Sequence, residues 1–133
     1  MNLYNDIIQS YCKALKTNDY QTMISLFSKD AKVFSYIAGE QSAPEFYQNL
    51  FKMSRRTKVE LKNIFIELNN KTTVAAYIYL EGVRNEKDAI QNTAADIFEF
   101  NSENKIIKLR LIVDKDPLKN KWKHYNETVN TKL

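Results

Sequence analysis

The spacing of apolar residues changes partway along this chain, and that change limits the fold more than any other feature. Near the start, Ile7, Ile8, Tyr11, Cys12 and Leu15 recur three and four residues apart, so a first helix turns these five toward a core. Asn18 and Asp19 supply a break and a cap. Tyr20, Met23, Ile24 and Phe27 repeat the pattern over a shorter second helix, which Ser28, Lys29 and Asp30 end. Ala31 to Ile37 reads as a strand. Ser42, Pro44 and Glu45 then have the order of a capping hydroxyl, a first-turn proline and a capping-box glutamate, and Phe46, Tyr47, Leu50 and Phe51 give a third helix one apolar face.

After Thr57 the period becomes two. Val59, Leu61 and Phe65 alternate with Glu60 and Lys62, and Asn69-Asn70 predicts a tight hairpin turn. Further strands follow over Thr72 to Leu80, Ala94 to Phe100 and Ile106 to Val113, with a wide connection expected from Glu81 to Asn92 and a turn at Asn101 to Asn104. Helices first and consecutive antiparallel strands afterwards define an α+β fold, with helices covering one face of a bent sheet.

A chain of 133 residues suits one domain and buries enough surface to fold without disulfides or a structural metal. Its one cysteine, Cys12, has no internal partner, which points to a reducing, cytoplasmic setting. The first residues lack a signal-peptide pattern, and no segment is apolar for long enough to span a bilayer. Of the +4 net charge, +3 falls from Lys115 onward, leaving a body of 15 basic and 14 acidic residues that offers little to nucleic acid. The heptapeptide Lys119 to Tyr125 interleaves bases with aromatics but is too short to carry that role. His124 stands without a nucleophile or metal-ligand partners beside it, and two glycines are too few for a phosphate or dinucleotide loop. No cofactor or metal is expected.

The stretch IIQSYCKALKTNDYQTMISLFSKDAKVFS, Ile7 to Ser35, resembles the opening of ketosteroid isomerases and their nuclear transport factor 2-like relatives. Likewise ADIFEFNSENKIIKLRLIVD, Ala95 to Asp114, resembles their last two strands, and with the helix at Pro44 to Met53 the likeness spans nearly everything but the C-terminal tail. It implies a cone-shaped, strongly curved antiparallel sheet packed against three helices, over residues 1–115, with a basic tail or short helix at 116–133. The superfamily holds isomerases, dehydratases, polyketide cyclases and domains that only bind or dimerise, so the fold does not fix the function.

Residue by residue, Tyr11 falls where ketosteroid isomerases keep the tyrosine of their oxyanion hole, and Asp96 where they keep its protonated carboxylic partner. The general base of those enzymes would fall at Ser35, which has no useful basicity, leaving Glu40 as a displaced base. Strand alternation independently puts Asp96 in line with Ala94, Phe98 and Phe100, where an acid on an apolar face is disfavoured in its charged form. Leu109, Leu111 and Val113 form the inner face of the last strand, and Tyr77 and Tyr79 share one face of an earlier one.

The expected site is therefore a pocket with Tyr11, Asp96 and Glu40 as its chemical groups and Ser35, Phe98, Leu109, Leu111 and Val113 as further lining. It would hold a hydrophobic small molecule bearing a carbonyl or phenol oxygen, as a binding protein or as an isomerase or lyase. The alternative is a non-catalytic interaction module that forms a homodimer through the sheet. Under either reading, no membrane or nucleic-acid partner is expected.

Overall fold

The computed structural model describes residues 3–36 and 38–114, so the expectations for Ile37, for His124 and for the 116–133 tail lie outside the described residues. Helix α1 (Leu3–Thr17) buries Ile8, Tyr11, Cys12, Ala14 and Leu15, so the predicted stripe gains Ala14, while Ile7 is only partly buried against the core. Asp19 caps α2 (Tyr20–Ser25) by accepting from the Thr22 N–H. That helix is shorter than its apolar spacing suggests. Phe27 opens β1 (Phe27–Ser35) instead, because its ring is drawn into the sheet-side core beside Tyr47.

A short β2 (Gly39–Ser42), absent from the sequence reading, pairs with the end of β1. Ser42 then caps α3 (Ala43–Met53), its hydroxyl accepting from the Glu45 N–H at 3.3 Å with Pro44 in the first turn. The chain passes directly from α3 into β3 (Ser54–Ile66) and on through β4 (Thr73–Arg84), β5 (Asp88–Phe100) and β6 (Ile106–Val113).

Two connections differ from expectation. Residues 67–72 form a loop wider than a two-residue turn, held by Asn70 Oδ1, which accepts from the backbone and hydroxyl of Thr72. The wide connection expected from Glu81 to Asn92 is in fact hairpin. Strands β4 and β5 stay paired as far as Arg84 and Asp88, and Asn85 and Glu86 turn the chain at positive φ (51° and 60°), a conformation that apolar alternation does not signal.

The sheet order is β2-β1-β6-β5-β4-β3. The expected all-antiparallel sheet is corrected at one seam: β1 runs parallel to β6, because the helical first half must return to the far side of the meander. The sheet is mixed and open, ending in β2 and β3. Pairing is interrupted at Arg56/Lys58 and Leu61/Asn63, irregularities of the kind that bend and twist a strand. They also switch its phase, so Phe65, expected to share a face with Val59 and Leu61, is 60% exposed while Ile64 packs inward.

Along β5 the inner face reads Phe100, Phe98, Asp96, Ala94, from large to small. The aromatic end packs solidly: Phe98 meets Tyr11 edge-on at 5.1 Å, and Phe100 stacks on Tyr4 at 4.3 Å. At Asp96 and Ala94 the inner side chains are smaller than the two rings. The core stops there.

Gly82 on β4 lies opposite Arg56, and a Cβ added to it would collide with the Arg55 carbonyl oxygen. Since backbone cannot yield as a flexible side chain does, Gly82→Ala is expected to destabilise the domain by about 1–3 kcal/mol, read as a lower midpoint in urea.

Candidate functional site

Where the small residues of β5 leave room, the helices and sheet enclose a cavity of about 400 Å³. Its innermost wall is Tyr11 and Leu15 from α1, Ser54 and Arg56 from β3, and Ala94 and Asp96 from β5, all buried. Leu80 of β4 and Leu111 and Val113 of β6 line its sides, and the exposed Tyr36 and Met53 stand at its rim. A volume of this size suits a small organic ligand.

Asp96 is 3% exposed, and its Oδ1 is fully buried without any hydrogen-bond partner among the described residues. Burial alone raises its carboxyl to about 7. Burial disfavours the charged form and no ion pair offsets it among the described residues, so the neutral acid is favoured well above the usual carboxylate range.

Tyr11 does not bond to Asp96. Its hydroxyl lies 2.7 Å from that of Tyr47, a residue of α3 that the sequence marks only as part of an apolar stripe. Desolvation, then Tyr47 and Asp96, push Tyr11 well above the ordinary tyrosine range, and desolvation raises Tyr47 too. Both hydroxyls are thus donors that keep their protons. Tyr47 is outside the cavity lining and has no other hydrogen-bond partner among the described residues, so when it donates to Tyr11 the Tyr11 proton is free for a ligand.

The remaining expected residues divide. Ser35, Leu111 and Val113 line the cavity, the Ser35 hydroxyl accepting from the Ala38 N–H. Phe98 and Leu109 are fully buried in the solid core beneath the cavity and do not line it. Glu40 is exposed on the edge strand β2, also outside the lining. Tyr77 and Tyr79 lie on the opposite sheet face, because the inward positions of β4 are Val74, Ala76 and Ile78. Tyr79 donates there to Glu81 and accepts from Gln91. Cys12 is buried with its thiol pushed up to about 12 by desolvation, an unreactive packing group.

The sequence reading missed Arg56. It is 8% exposed, and its phase is hidden by the pairing irregularity at Arg56/Lys58: counted back from Val59 it is an outward residue, whereas the chain turns it inward. Starting the strand at Ser54 would have shown it. Among the described residues no cluster of His, Cys, Asp and Glu could hold a metal, and no helix is long and apolar enough to cross a membrane.

This architecture is the nuclear transport factor 2-like fold, in the version shared with ketosteroid isomerase-like proteins. An NTF2-like protein of unknown function from Exiguobacterium sp. 255-15 superposes with a TM-score of 0.70 at 17% identity, over 83% of this chain and 99% of that one. A Catenulispora acidiphila protein with a ketosteroid isomerase-like fold, crystallised with trimethylamine, gives 0.67 at 11% identity over 79% and 82%. An LEH-like epoxide hydrolase from M. tuberculosis gives 0.66 at 13% over 82% and 80%. No protein-family model matches the chain and no curated protein matches it, so the likeness is one of fold.

The burial of Asp96 has a pH signature. Unfolded, the acid titrates near 3.9; folded, at about 7. Between these values the folded state holds the extra proton, so stability is full below about pH 4 and falls as pH rises toward 7, by up to about 1.4 kcal/mol per unit. Asp96→Asn should remove that slope and be the more stable form at pH 8, as urea midpoints across this range would show. A wild-type midpoint unchanged from pH 4 to 8 would contradict it.

Proposed function

We propose that this protein binds a small hydrophobic molecule in the cavity, with an oxygen of the ligand, carbonyl or phenol, accepting hydrogen bonds from the neutral Asp96 carboxyl and from Tyr11. The observation that carries this reading is the orphaned Asp96 Oδ1 at the end of an apolar cavity. A buried polar group without a partner costs stability that an apolar residue of the same shape would not, which makes a ligand partner the economical explanation. Polarising a carbonyl by two such donors is also the first requirement of isomerase- or lyase-type chemistry. A proton transfer needs a base as well. Glu40 is outside the lining, Ser35 lacks basicity, and the one further carboxylate lining the cavity, Glu81, is engaged by Tyr79. The reading therefore rests on binding.

Binding of 2-naphthol, followed by its fluorescence, should be independent of pH below about 6 and weaken as Asp96 loses its proton near 7. Asp96→Asn, whose amide donates at every pH, should keep the affinity and lose the pH dependence. Asp96→Ala should weaken binding about tenfold, the worth of one buried hydrogen bond of roughly 1.4 kcal/mol. Equal affinity of Asp96→Ala and wild type would sink the assignment.

A second reading, a homodimer formed through the sheet, draws on its outer face. Tyr77, Ala95 and Ile112 are adjacent across β4, β5 and β6, with Tyr77 42% and Ile112 49% exposed. An apolar row in the middle of an open sheet suits a self-complementary contact. Sedimentation of the wild type should show a dimer, and the paired change Tyr77→Lys with Ile112→Lys a monomer of unchanged fold. A monomeric wild type at high concentration removes this reading and leaves the cavity untouched.

A further inference from the structure

The cavity wall holds a buried cation without an anion. Arg56 donates from Nε to the Leu15 carbonyl at 3.2 Å, and from Nη2 to the Ser54 carbonyl at 3.2 Å and Asn18 Oδ1 at 3.5 Å. All three acceptors are neutral. The Phe51 ring lies 5.7 Å from the guanidinium carbon. Among the described residues Arg56 makes no ion pair, and its Nη1 makes no hydrogen bond.

A charged side chain this deeply buried is ordinarily paired. The Leu15 carbonyl lies in the last turn of α1, so the negative end of that helix offsets part of the charge, though only about half an elementary charge. Burial accordingly lowers the guanidinium below the ordinary arginine range, although not far enough to neutralise a group of this basicity. Asp96 is not its partner: no ion pair joins the two, and burial alone accounts for the shift of the acid. Arg84, paired with Ser54 across β3 and β4, also lines the cavity and likewise forms no ion pair among the described residues. The carboxylate of Glu81 is held by Tyr79.

We infer that the ligand is a hydrophobic carboxylic acid, bound as its anion, with the carboxylate on Arg56 and the apolar body along Leu15, Leu80 and Leu111. This rests on the reading of the cavity as a ligand site and adds the ligand class. A carboxylate accepting from the idle Nη1 hydrogens supplies the missing counter-charge without breaking the bonds that Nε and Nη2 already make. A phosphate fits less well, since its greater charge would need more donors than this largely apolar lining offers. The two groups would then recognise different atoms of the ligand, Arg56 an anionic oxygen and Asp96 a neutral acceptor.

The isosteric pair 1-naphthylacetate and 1-naphthylacetamide tests the inference at about pH 6, where the ligand acid is ionised and Asp96 keeps its proton. Fluorescence titration of the full chain should show the carboxylate binding about tenfold or more tighter than the amide. Arg56→Gln should bring the two within about twofold of each other, because it weakens the carboxylate far more than the amide. If wild type binds the amide as tightly as the acid, the inference is wrong and the cavity reading stands. If neither probe nor 2-naphthol binds, both fall. A preference for the acid that persists in Arg56→Gln would overturn the role of Arg56. The wild-type comparison needs no variant, so it decides the ligand class even if Arg56→Gln does not fold.

Discussion

The inner face of β5 is the constraint from which the rest follows. A strand in the middle of a sheet has its side chains committed by the pleat, and here Phe100, Phe98, Asp96 and Ala94 must all point to the helix side. The two rings give α1 an aromatic surface, and Tyr4 and Tyr11 pack on it edge-on or stacked. The same alternation then places an acid and a methyl group against the cavity, whose wall they share with Tyr11 and Leu15 of α1. A solid core and a hollow site are two ends of one strand.

From that geometry the electrostatics take their shape. Asp96 enters the interior because Phe98 does, and without a partner its charge is suppressed. Tyr11 and Tyr47 share one hydrogen bond in surroundings that hold both protons in place. Arg56 keeps its charge in the same cavity wall, supported by the Leu15 carbonyl in the last turn of α1. The cavity thus presents neutral donors and a cation in walls that are otherwise mostly apolar. On the proposed reading such a cavity would discriminate by charge and acceptor position, since a ligand that leaves Asp96 or Arg56 unpaired forgoes what that group lacks.

Legibility in the sequence followed locality. The first and third helices could be read from three- and four-residue spacing and from the caps at Asp19 and Ser42, which are interactions over three residues. Asp96 could be read because its neighbours two and four positions on are phenylalanines. Phe27 was misread, since i+3 spacing after Met23 and Ile24 fits a helix as well as the start of a strand, and only the aromatic cluster at Tyr47 decides between them. The β4–β5 hairpin was missed because Asn85 and Glu86 carry no glycine to announce their positive φ. Phe98 and Leu109 were assigned to the pocket on the right face but at the wrong depth.

What the sequence by itself determined is the α+β class and which side of each regular element is apolar, because periods of 3.6 and 2 are properties of the local backbone. Tertiary structure alone decided that β1 runs parallel to β6, that Tyr47 meets Tyr11, that Arg56 turns inward past an irregularity in strand pairing, and that space remains above Asp96. Each of these depends on residues brought together from distant parts of the chain. A local period records which way a side chain faces, but whether it finds a partner, a void or water there is fixed only when the sheet and helices meet.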